Sequence, residues 1–177
     1  MKNFPHQNPT SRRKIRIAEP RDLPEIVEIY NQAIPSFRST ARTMPVSIEE
    51  RKTWFDEHDP HKHPIFLAEL DDRVVGWCSL SAYRPGRPAL RYTAELSYYV
   101  DIDHHRQGVG SELVNHALIV SPSLGIKNIV AVLIDRNEAS RKLLEKHGFQ
   151  QWGYLPQVLD FFGQECGEFY YGKRVAD

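Results

Sequence analysis

Two glycines, Gly108 and Gly110, stand one residue apart in the segment 103–114, which reads DHHRQGVGSELV. The apolar pattern that follows them predicts the start of a helix. The first turn of a helix leaves backbone N–H groups unpaired and carries partial positive charge. Glycines have no side chain to keep a phosphate away from those groups. The spacing is therefore typical of a phosphate-binding turn, and equally of a plain structural turn.

Polar residues on either side of this turn help to decide between a phosphate-binding turn and a plain structural turn. Glu95 lies in YTAELSYYVD, a predicted strand whose residues alternate between two faces. Asn137 and Ser140 open a predicted helix directly after NIVAVLI, an apolar strand. A carboxylate beside a bound substrate can act as a general base. No Gly-Lys-Ser/Thr follows the glycines, which excludes a Walker A loop.

The composition is typical of one globular domain. Lysine plus arginine and aspartate plus glutamate each number 23, so the chain lacks the basic surplus of a nucleic-acid-binding protein. No apolar run reaches the roughly 20 residues that span a bilayer. Cys78 and Cys166 form no Cys-x-x-Cys pair, which favours a reducing, cytoplasmic location. Residues 1–14 have no signal-peptide core, and we expect a flexible arm there before a single domain over 15–177.

The predicted elements run strand, two helices, three strands, helix, strand, helix and two strands. This order indicates a mixed α/β fold around one twisted sheet. Asp22 is expected to cap the first helix, and Ser47 with Glu50 to form a capping box at the second. Asp71-Asp72 is expected to turn a hairpin. Five aromatic side chains are predicted to lie in the core: Trp54, Phe55, Trp77, Phe149 and Trp152.

Three histidines, His58, His61 and His63, lie together in the segment HDPHKHP. Zinc sites combine histidine with cysteine or carboxylate ligands at defined spacings. This segment offers no such set and is typical of a polar loop between elements, so we predict no bound metal.

Several segments, in this order, resemble one superfamily, the GNAT-type acyl-CoA N-acyltransferases. Within it the chain is similar to the phosphinothricin and methionine sulfoximine N-acetyltransferases, from Ile15 to about Arg174. The resemblance implies a twisted, mostly antiparallel sheet of about seven strands flanked by about four helices. It also implies acetyl-CoA as the acyl donor. The segments are YNQAI, SIEERKTWFDEH, VVGWCSLSAYRP, TAELSYYVD, HRQGVGSEL, NEASRKLLEKHGF and GYLPQV.

The same resemblance implies the cofactor contacts. The superfamily's pyrophosphate loop, Gln/Arg-x-x-Gly-x-Gly, falls here on His105, Gly108 and Gly110. Histidine at the first position departs from that form, and its charge varies with pH near neutrality. The neighbouring Arg106 can supply a permanent charge. The implied contacts are Tyr99, Val100, His105, Arg106, Gln107, Gly108, Val109, Gly110, Ser111, Asn137 and Ser140.

Glu95 matches the superfamily's acidic residue on the central strand, which implies a general base that takes the amine proton. A backbone N–H near Val100 is implied to stabilise the oxyanion. Many relatives carry a tyrosine seven residues after the motif asparagine, where it protonates the departing thiolate. The residue here is Leu144, which cannot donate, so the source of that proton is left open.

The acceptor is predicted to be a small amino-acid-like amine that bears a carboxylate. Tyr83, Arg84 and Arg91 are implied to contact it, with Arg84 on the carboxylate. The segment QVLDFFGQECGEFYY departs from the group's pattern after Pro-Gln-Val, so phosphinothricin itself is not assigned. The loops expected to surround the acceptor contain no acidic residue and five arginines: Arg38, Arg42, Arg84, Arg87 and Arg91.

Three other functions stay open at this stage. They are acetylation of a protein N-terminus, acetylation of a polyamine, and acyl-CoA sensing without catalysis. The arginines in the loops disfavour a cationic polyamine, and Glu95 disfavours a sensor. Expected partners are the small-molecule acceptor and, in a homodimer, a second copy of the chain. Neither nucleic acid nor a membrane is expected.

Overall fold

The computed structural model describes residues 13–177. The predicted flexible arm, residues 1–14, lies outside the described residues except for Arg13 and Lys14, and its division from the domain stays a prediction. The first strand begins at Lys14. The helices are α1 (Leu23–Ala33), α2 (Ile48–Asp56), α3 (Val109–Val120) and α4 (Glu138–Lys146). The strands are β1 (Lys14–Ile17), β2 (Ile65–Leu70), β3 (Arg73–Ala82), β4 (Thr93–Val100), β5 (Asn128–Ile134), β6 (Gln150–Phe161) and β7 (Gln164–Arg174).

All seven strands form one sheet in the order β1-β2-β3-β4-β5-β7-β6. Neighbouring strands are antiparallel except for β4 and β5, which run parallel. With the four α-helices, this arrangement confirms the predicted α/β fold, its element order and its mostly antiparallel sheet. Within residues 13–177, no helix is long and apolar enough to cross a membrane.

The sheet separates two hydrophobic cores. On one face, α1 packs through Ile26 against Trp77, which is fully buried and donates from Nε1 to Ile26 O at 3.0 Å. On the other face, α3 and α4 pack through Leu113 and Leu144 against Leu96 of β4. Fully burying a side chain of this kind contributes about 1.5–3 kcal/mol. The helices on both faces therefore hold the central strands in place.

β4 and β5 pair only at their beginnings. The last paired residues are Glu95 and Val130, after which the two strands diverge. β4 continues beside β3 to Val100, and β5 continues beside β7 to Ile134. A V-shaped gap therefore opens in the middle of the sheet directly after Glu95.

The segment between α1 and α2 crosses over this gap. Tyr99 of β4 donates from its hydroxyl to Ser39 O at 3.2 Å. Phe37 packs against Phe161 at the end of β6, with ring centroids 5.3 Å apart. The segment therefore bridges β4 and the C-terminal hairpin.

Local predictions of caps and turns are largely confirmed. Glu50 N–H donates to Ser47 Oγ at 3.1 Å and Ser47 N–H donates to Glu50 Oε2 at 2.7 Å, which completes the capping box. Asp71 and Asp72 both have positive φ, 51° and 59°, as a two-residue hairpin turn of type I′ requires. Short polar segments of this kind determine their own geometry.

Two local predictions are wrong. Asp22 makes no capping bond to α1 because a 3₁₀ turn precedes the helix. Its carboxylate instead accepts from Glu19 N–H at 2.7 Å and pairs with Arg16 at 2.6 Å. Trp152 is 52% exposed, because β6 is an edge strand whose register is irregular at this residue. The other aromatic residues predicted for the core do pack there: Trp77 and Phe149 are buried, and Trp54 and Phe55 are partly buried.

Candidate active site

A cleft of about 680 Å³ occupies the gap between β4 and β5 and reaches the N-terminus of α3. Its walls include the separated ends of the two strands, residues 96–100 and 131–134, and the first turn of α4. Most of the residues implied to contact the cofactor line it together: Tyr99, Val100, His105, Arg106, Gly108, Val109, Gly110, Ser111, Asn137 and Ser140.

Backbone groups of β4 point into this cleft. Thr93 O accepts from Tyr83 N–H at 3.2 Å, so the odd-numbered residues of β4 direct their backbone groups toward β3. Even-numbered residues direct theirs to the opposite side, where β5 has diverged. The N–H and C=O of Tyr98, the C=O of Leu96 and the N–H of Val100 are therefore available to a ligand in the gap, whereas Val100 O accepts from His105.

The glycine turn forms the far end of the cleft. Gly108 has a left-handed φ of +85°, and the first helical bond of α3 runs from Glu112 N–H to Gly108 O at 3.0 Å. The N–H groups of residues 109–111 have no partner in the preceding turn. A Cβ on Gly110 would lie only 3.2 Å from Leu143 Cδ1. Free donors, a positive helix end and the absence of a side chain fit the pyrophosphate of coenzyme A.

Side chains before the turn differ in their placement. Arg106, with a φ of +60°, lines the cleft. His105 also lines it, but its Nε2 donates to Val100 O at 3.0 Å. Gln107 does not line the cleft, because its amide donates to the backbone of the preceding turn at 3.0 Å. Of the side chains of His105, Arg106 and Gln107, the guanidinium of Arg106 is therefore the one that offers positive charge to a ligand in the cleft.

A further cation at this turn comes from the other end of the chain. Arg13 makes two hydrogen bonds to Glu112, of 2.6 and 2.8 Å, in the first turn of α3. Its Nη2 lies 3.6 Å from the position that a Cβ on Gly108 would take. Sequence reasoning missed Arg13, because no local pattern indicates a contact 99 residues away.

The first turn of α4 supplies the opposite wall. Asn137 Oδ1 accepts from Ser140 N–H at 3.1 Å, which confirms the predicted cap. Asn137 also donates from Nδ2 to Ser39 Oγ at 3.5 Å. The Tyr98 hydroxyl donates to Ser140 O at 3.5 Å across the cleft. Polar side chains from three separate elements therefore meet beside the gap.

Glu95 lies at the apex of the gap, on the sheet face opposite α3 and α4. Its side chain is partly buried and stands beside Ser81 in the register of β3 and β4. Burial, together with the nearby charge of Glu168, raises the pKa of Glu95 above its usual range. A carboxylate with a raised pKa accepts a proton more readily near neutral pH.

His58 contacts Ser81 on the same face. Its Nδ1 lies 2.7 Å from Trp54 O and its Nε2 lies 2.9 Å from Ser81 Oγ. Because a carbonyl oxygen only accepts, Nδ1 carries the proton and Nε2 accepts from the serine hydroxyl. Burial lowers the pKa of His58, which favours this neutral form. Sequence reasoning considered His58 only as a metal ligand and missed this contact.

Arg51 of α2 is a second residue on this face that sequence reasoning missed. Its guanidinium carbon lies 3.9 Å from the ring centroid of Trp54 and 4.7 Å from that of Tyr30. Its buried Nε has no hydrogen-bond partner within residues 13–177. Burial lowers its pKa. The pattern SIEERKTWF carries no local sign of this environment, because the aromatic rings come from two helices.

Tyr83 and Arg84 line a second cavity, of about 590 Å³, together with Tyr170. Arg84 has a φ of +50° and its guanidinium carbon lies 5.4 Å from the Tyr83 ring centroid. Arg91 lines neither cavity and stacks on Tyr92 at 4.3 Å. The structure therefore groups Tyr83 with Arg84 but not with Arg91. The remaining arginines of the predicted acceptor loops are exposed: Arg38, Arg42 and Arg87.

Comparisons with known proteins agree with this geometry. The chain is 42% identical over 163 residues to YwnH of Bacillus subtilis, provisionally named a phosphinothricin acetyltransferase, covering 92% of this chain and 99% of the relative. It is 33% identical to the L-methionine sulfoximine/L-methionine sulfone acetyltransferase of Pseudomonas aeruginosa, covering 85% and 87%. The structure of yncA from Salmonella typhimurium, with its cofactor acetyl-CoA, superimposes with a TM-score of 0.86 at 27% identity, covering 93% and 95%.

The model of the acetyltransferase (GNAT) family matches residues 24–149. The chain therefore belongs to the GNAT acetyltransferases. It is an acetyl-CoA-dependent N-acetyltransferase related to the phosphinothricin acetyltransferases.

Proposed function

We propose that this protein acetylates the amine of a small amino-acid-like acceptor that bears a carboxylate, with Glu95 as the general base. The observation that carries the proposal is the gap between β4 and β5. It opens directly after Glu95 and connects the glycine turn to the face on which Glu95 lies. A thioester in the gap would therefore be open to an amine beside this carboxylate.

Residues of the cleft would hold the donor. The N–H groups of residues 109–111 and the guanidinium of Arg106 would bind the pyrophosphate. Asn137 and Ser140 would contact the arm that runs along the gap, and backbone groups of Tyr98 and Val100 would pair with it as a strand does. When bound, acetyl-CoA supplies an activated acetyl group as a thioester.

Glu95 would act on the acceptor. Amines of amino acids are largely protonated at pH 7 and attack only when neutral. Glu95 accepts that proton, directly or through a water, and its raised pKa favours the transfer. A backbone N–H at Val100 then stabilises the charge that develops on the carbonyl oxygen. No covalent acyl-enzyme is needed, so the buried thiols of Cys78 and Cys166 have no role in the reaction.

Two arginines, Arg84 and Arg51, support a carboxylate-bearing acceptor. We assign the carboxylate to Arg84, since a guanidinium forms two parallel bonds to a carboxylate. Arg51 is a second guanidinium on the Glu95 face, without a carboxylate partner within 4.0 Å among residues 13–177. The names of the relatives, which refer to phosphinothricin and methionine sulfoximine, support the same class of acceptor.

A turnover assay with a panel of acceptors tests this function. Free thiol release from acetyl-CoA is measured with α-amino acids, their decarboxylated amines, polyamines and N-terminal peptides. We expect the highest kcat/KM for amines with a neighbouring carboxylate. Faster acetylation of polyamines or peptides contradicts the acceptor class. Binding of acetyl-CoA without thiol release for any amine identifies an acyl-CoA sensor instead.

We also infer a homodimer and a cytoplasmic location. The edge strand β6 exposes a row of large apolar side chains, which a second copy of the chain would cover. Sedimentation at micromolar concentration measures the oligomeric state, and a monomer contradicts the dimer. The exposed residues are Trp152, Tyr154, Leu155 and Val158.

A further inference from the structure

The departing thiolate needs a proton from a group on its own side of the sheet. A thiol has a reference pKa of about 8.5, so the free product is mostly protonated at neutral pH. Glu95 has just accepted the amine proton, and it lies on the acceptor's face of the sheet. Leu144 of α4 is fully buried in the core and has no proton to give. The acid must therefore be sought on the cofactor's side of the gap.

Tyr98 occupies that side. Along β4, residues 95, 97 and 99 face α1 and α2, whereas Tyr98 faces α3 and α4 and packs against their core. Its ring comes within 3.9 Å of the position that a Cβ on Gly110 would take, and its hydroxyl lies 3.5 Å from Ser140 O. The phenol therefore stands in the cleft between the glycine turn and α4.

The other phenol beside the gap is differently engaged. The Tyr99 hydroxyl donates to Ser39 O at 3.2 Å, and its ring packs against Tyr30 on the acceptor's face. Among residues 13–177 the Tyr98 hydroxyl has only the 3.5 Å contact, at the limit of a hydrogen bond, so it can turn to a new acceptor at little cost. Sulfur and Tyr98 would thus lie on the same side of the sheet.

We propose that Tyr98 is the acid that protonates the leaving thiolate, an assignment that rests on the proposed function. In this step a bond forms between the amine nitrogen and the carbonyl carbon, and the bond between that carbon and sulfur breaks. The acceptor nitrogen loses two protons: the ammonium proton passes to Glu95 and on to solvent before the attack, and the second passes to Glu95 as the tetrahedral intermediate collapses. The proton of the Tyr98 hydroxyl passes to the sulfur. Water returns a proton to the tyrosinate, and Glu95 releases its own to solvent.

The surroundings of Tyr98 keep the phenol in its acid form. Burial raises the pKa of Tyr98 to about 12, so the phenol remains protonated across the neutral range. Because a thiol has a reference pKa of about 8.5, the transfer is uphill and is completed when the tyrosinate regains a proton from water. Before the transfer the hydroxyl donates a hydrogen bond to the sulfur, and after it the tyrosinate accepts one from the thiol.

A Tyr98→Phe substitution tests the role, with the same acceptor panel. We expect kcat to fall about a hundredfold at pH 7, since a positioned general acid contributes at least that factor. The deficit should shrink above about pH 9, where the thiolate is stable without a proton. Tyr171→Phe, in the same core but bonded to Glu145, is the matched control and should retain kcat. An equal deficit at every pH, or none at pH 7, contradicts the proposal.

A binding measurement tests the same contact without turnover. Calorimetry compares the affinities of coenzyme A and of desulfo-coenzyme A, which lacks the sulfur. We expect the wild type to prefer coenzyme A by up to about tenfold, the worth of one hydrogen bond, and Tyr98→Phe to lose this preference. An unchanged preference in the variant contradicts the contact.

The outcomes separate the two proposals. If the wild type releases no thiol with any amine, the proposed function fails, and the preference for coenzyme A still tests Tyr98. If the wild type turns over and Tyr98→Phe matches it, only the role of Tyr98 fails. Should Tyr98→Phe not fold, a fluorinated tyrosine at this position retains the shape and lowers the pKa of the phenol. With this more acidic phenol, kcat should rise at pH 7 and hold above about pH 9, where the thiolate needs no proton, and an unchanged kcat at pH 7 contradicts the proposal.

Discussion

The cofactor cleft and the acceptor side of the gap present different groups to a ligand: mainly backbone groups in the cleft and side chains on the acceptor side. The cleft presents backbone groups: the N–H groups of residues 109–111, and those of Tyr98 and Val100 that β5 leaves unpaired. The acceptor side presents side chains, among them Glu95 and Arg51, from strands and helices far apart in sequence. In the proposed function, the donor is bound by backbone features that tolerate changes of side chain. Specificity for the acceptor would depend on individual side chains, which a substitution can alter.

This difference predicts which kinetic or binding constant each substitution will change. A change on the acceptor side should alter kcat or the KM of the acceptor and spare the donor. A change in the cleft should do the reverse. Four sets of substitutions test this division between the acceptor side and the cleft.

The largest effect is expected from Glu95→Gln. The amide has nearly the same shape but cannot accept the proton, so kcat should fall by about 10²- to 10⁴-fold. Steady-state kinetics measures kcat, and calorimetry should show an unchanged affinity for acetyl-CoA. Glu49→Gln, on the exposed surface of α2, is the control and should match the wild type. An equal loss of cofactor binding in Glu95→Gln would indicate a structural role.

Gly110→Val should impair the cleft and spare the acceptor side. A Cβ at this position already lies 3.2 Å from Leu143 Cδ1, so the branched methyl groups would overpack against α4 and displace the turn that carries the N–H groups of residues 109–111. We expect the Kd for acetyl-CoA to rise about tenfold to a hundredfold, for an overpacking cost of about 1–3 kcal/mol. The smaller Gly110→Ala should lose less. Thermal shift with and without acetyl-CoA measures both, and an unshifted Kd in the valine variant would contradict the assignment of the turn.

Arg84→Ala should raise the KM of the acceptor by roughly tenfold, which corresponds to a charged hydrogen bond of about 1.5–3 kcal/mol. The KM of acetyl-CoA should hardly change. Arg73→Ala, at the far end of β3 and exposed, is the matched control. Comparing an amino acid with its decarboxylated amine isolates the carboxylate, because the loss should vanish for the amine. If the loss is found in Arg51→Met and not in Arg84→Ala, the carboxylate belongs to Arg51.

The smallest effect concerns the pH dependence of kcat/KM. In the proposed mechanism activity requires Glu95 without its proton, so kcat/KM should rise with pH through the pKa of Glu95, which burial and Glu168 raise. Glu168→Gln removes the like charge, lowers that pKa and should move the acid limb to lower pH. Glu165→Gln, exposed on the same strand, should leave the limb in place. A shift of the acid limb to higher pH in Glu168→Gln would show that the two carboxylates do not repel each other.

The patterns of β4 illustrate how far sequence reasoning reaches. The alternation of YTAELSYYVD correctly predicts a strand with Ala94 and Leu96 facing one core, and it places Glu95 on the other face. It does not show that β5 leaves after Glu95, because divergence depends on how two strands 30 or more residues apart pack on different helices. The edge position of Trp152 was mispredicted for the same reason, since hydrophobicity alone does not reveal which strand lies at the edge.

What the sequence by itself determined are the local features. The glycine turn, the caps at Ser47 and Asn137 and the hairpin at Asp71-Asp72 follow from residues within a few positions of one another, where backbone sterics and short hydrogen bonds decide the geometry. Only the tertiary structure decided which distant side chains share a space. It placed His58 on Ser81, Arg51 between aromatic rings, and Tyr98 opposite Glu95 across the sheet. Such contacts depend on the packing of whole elements, which no short segment encodes.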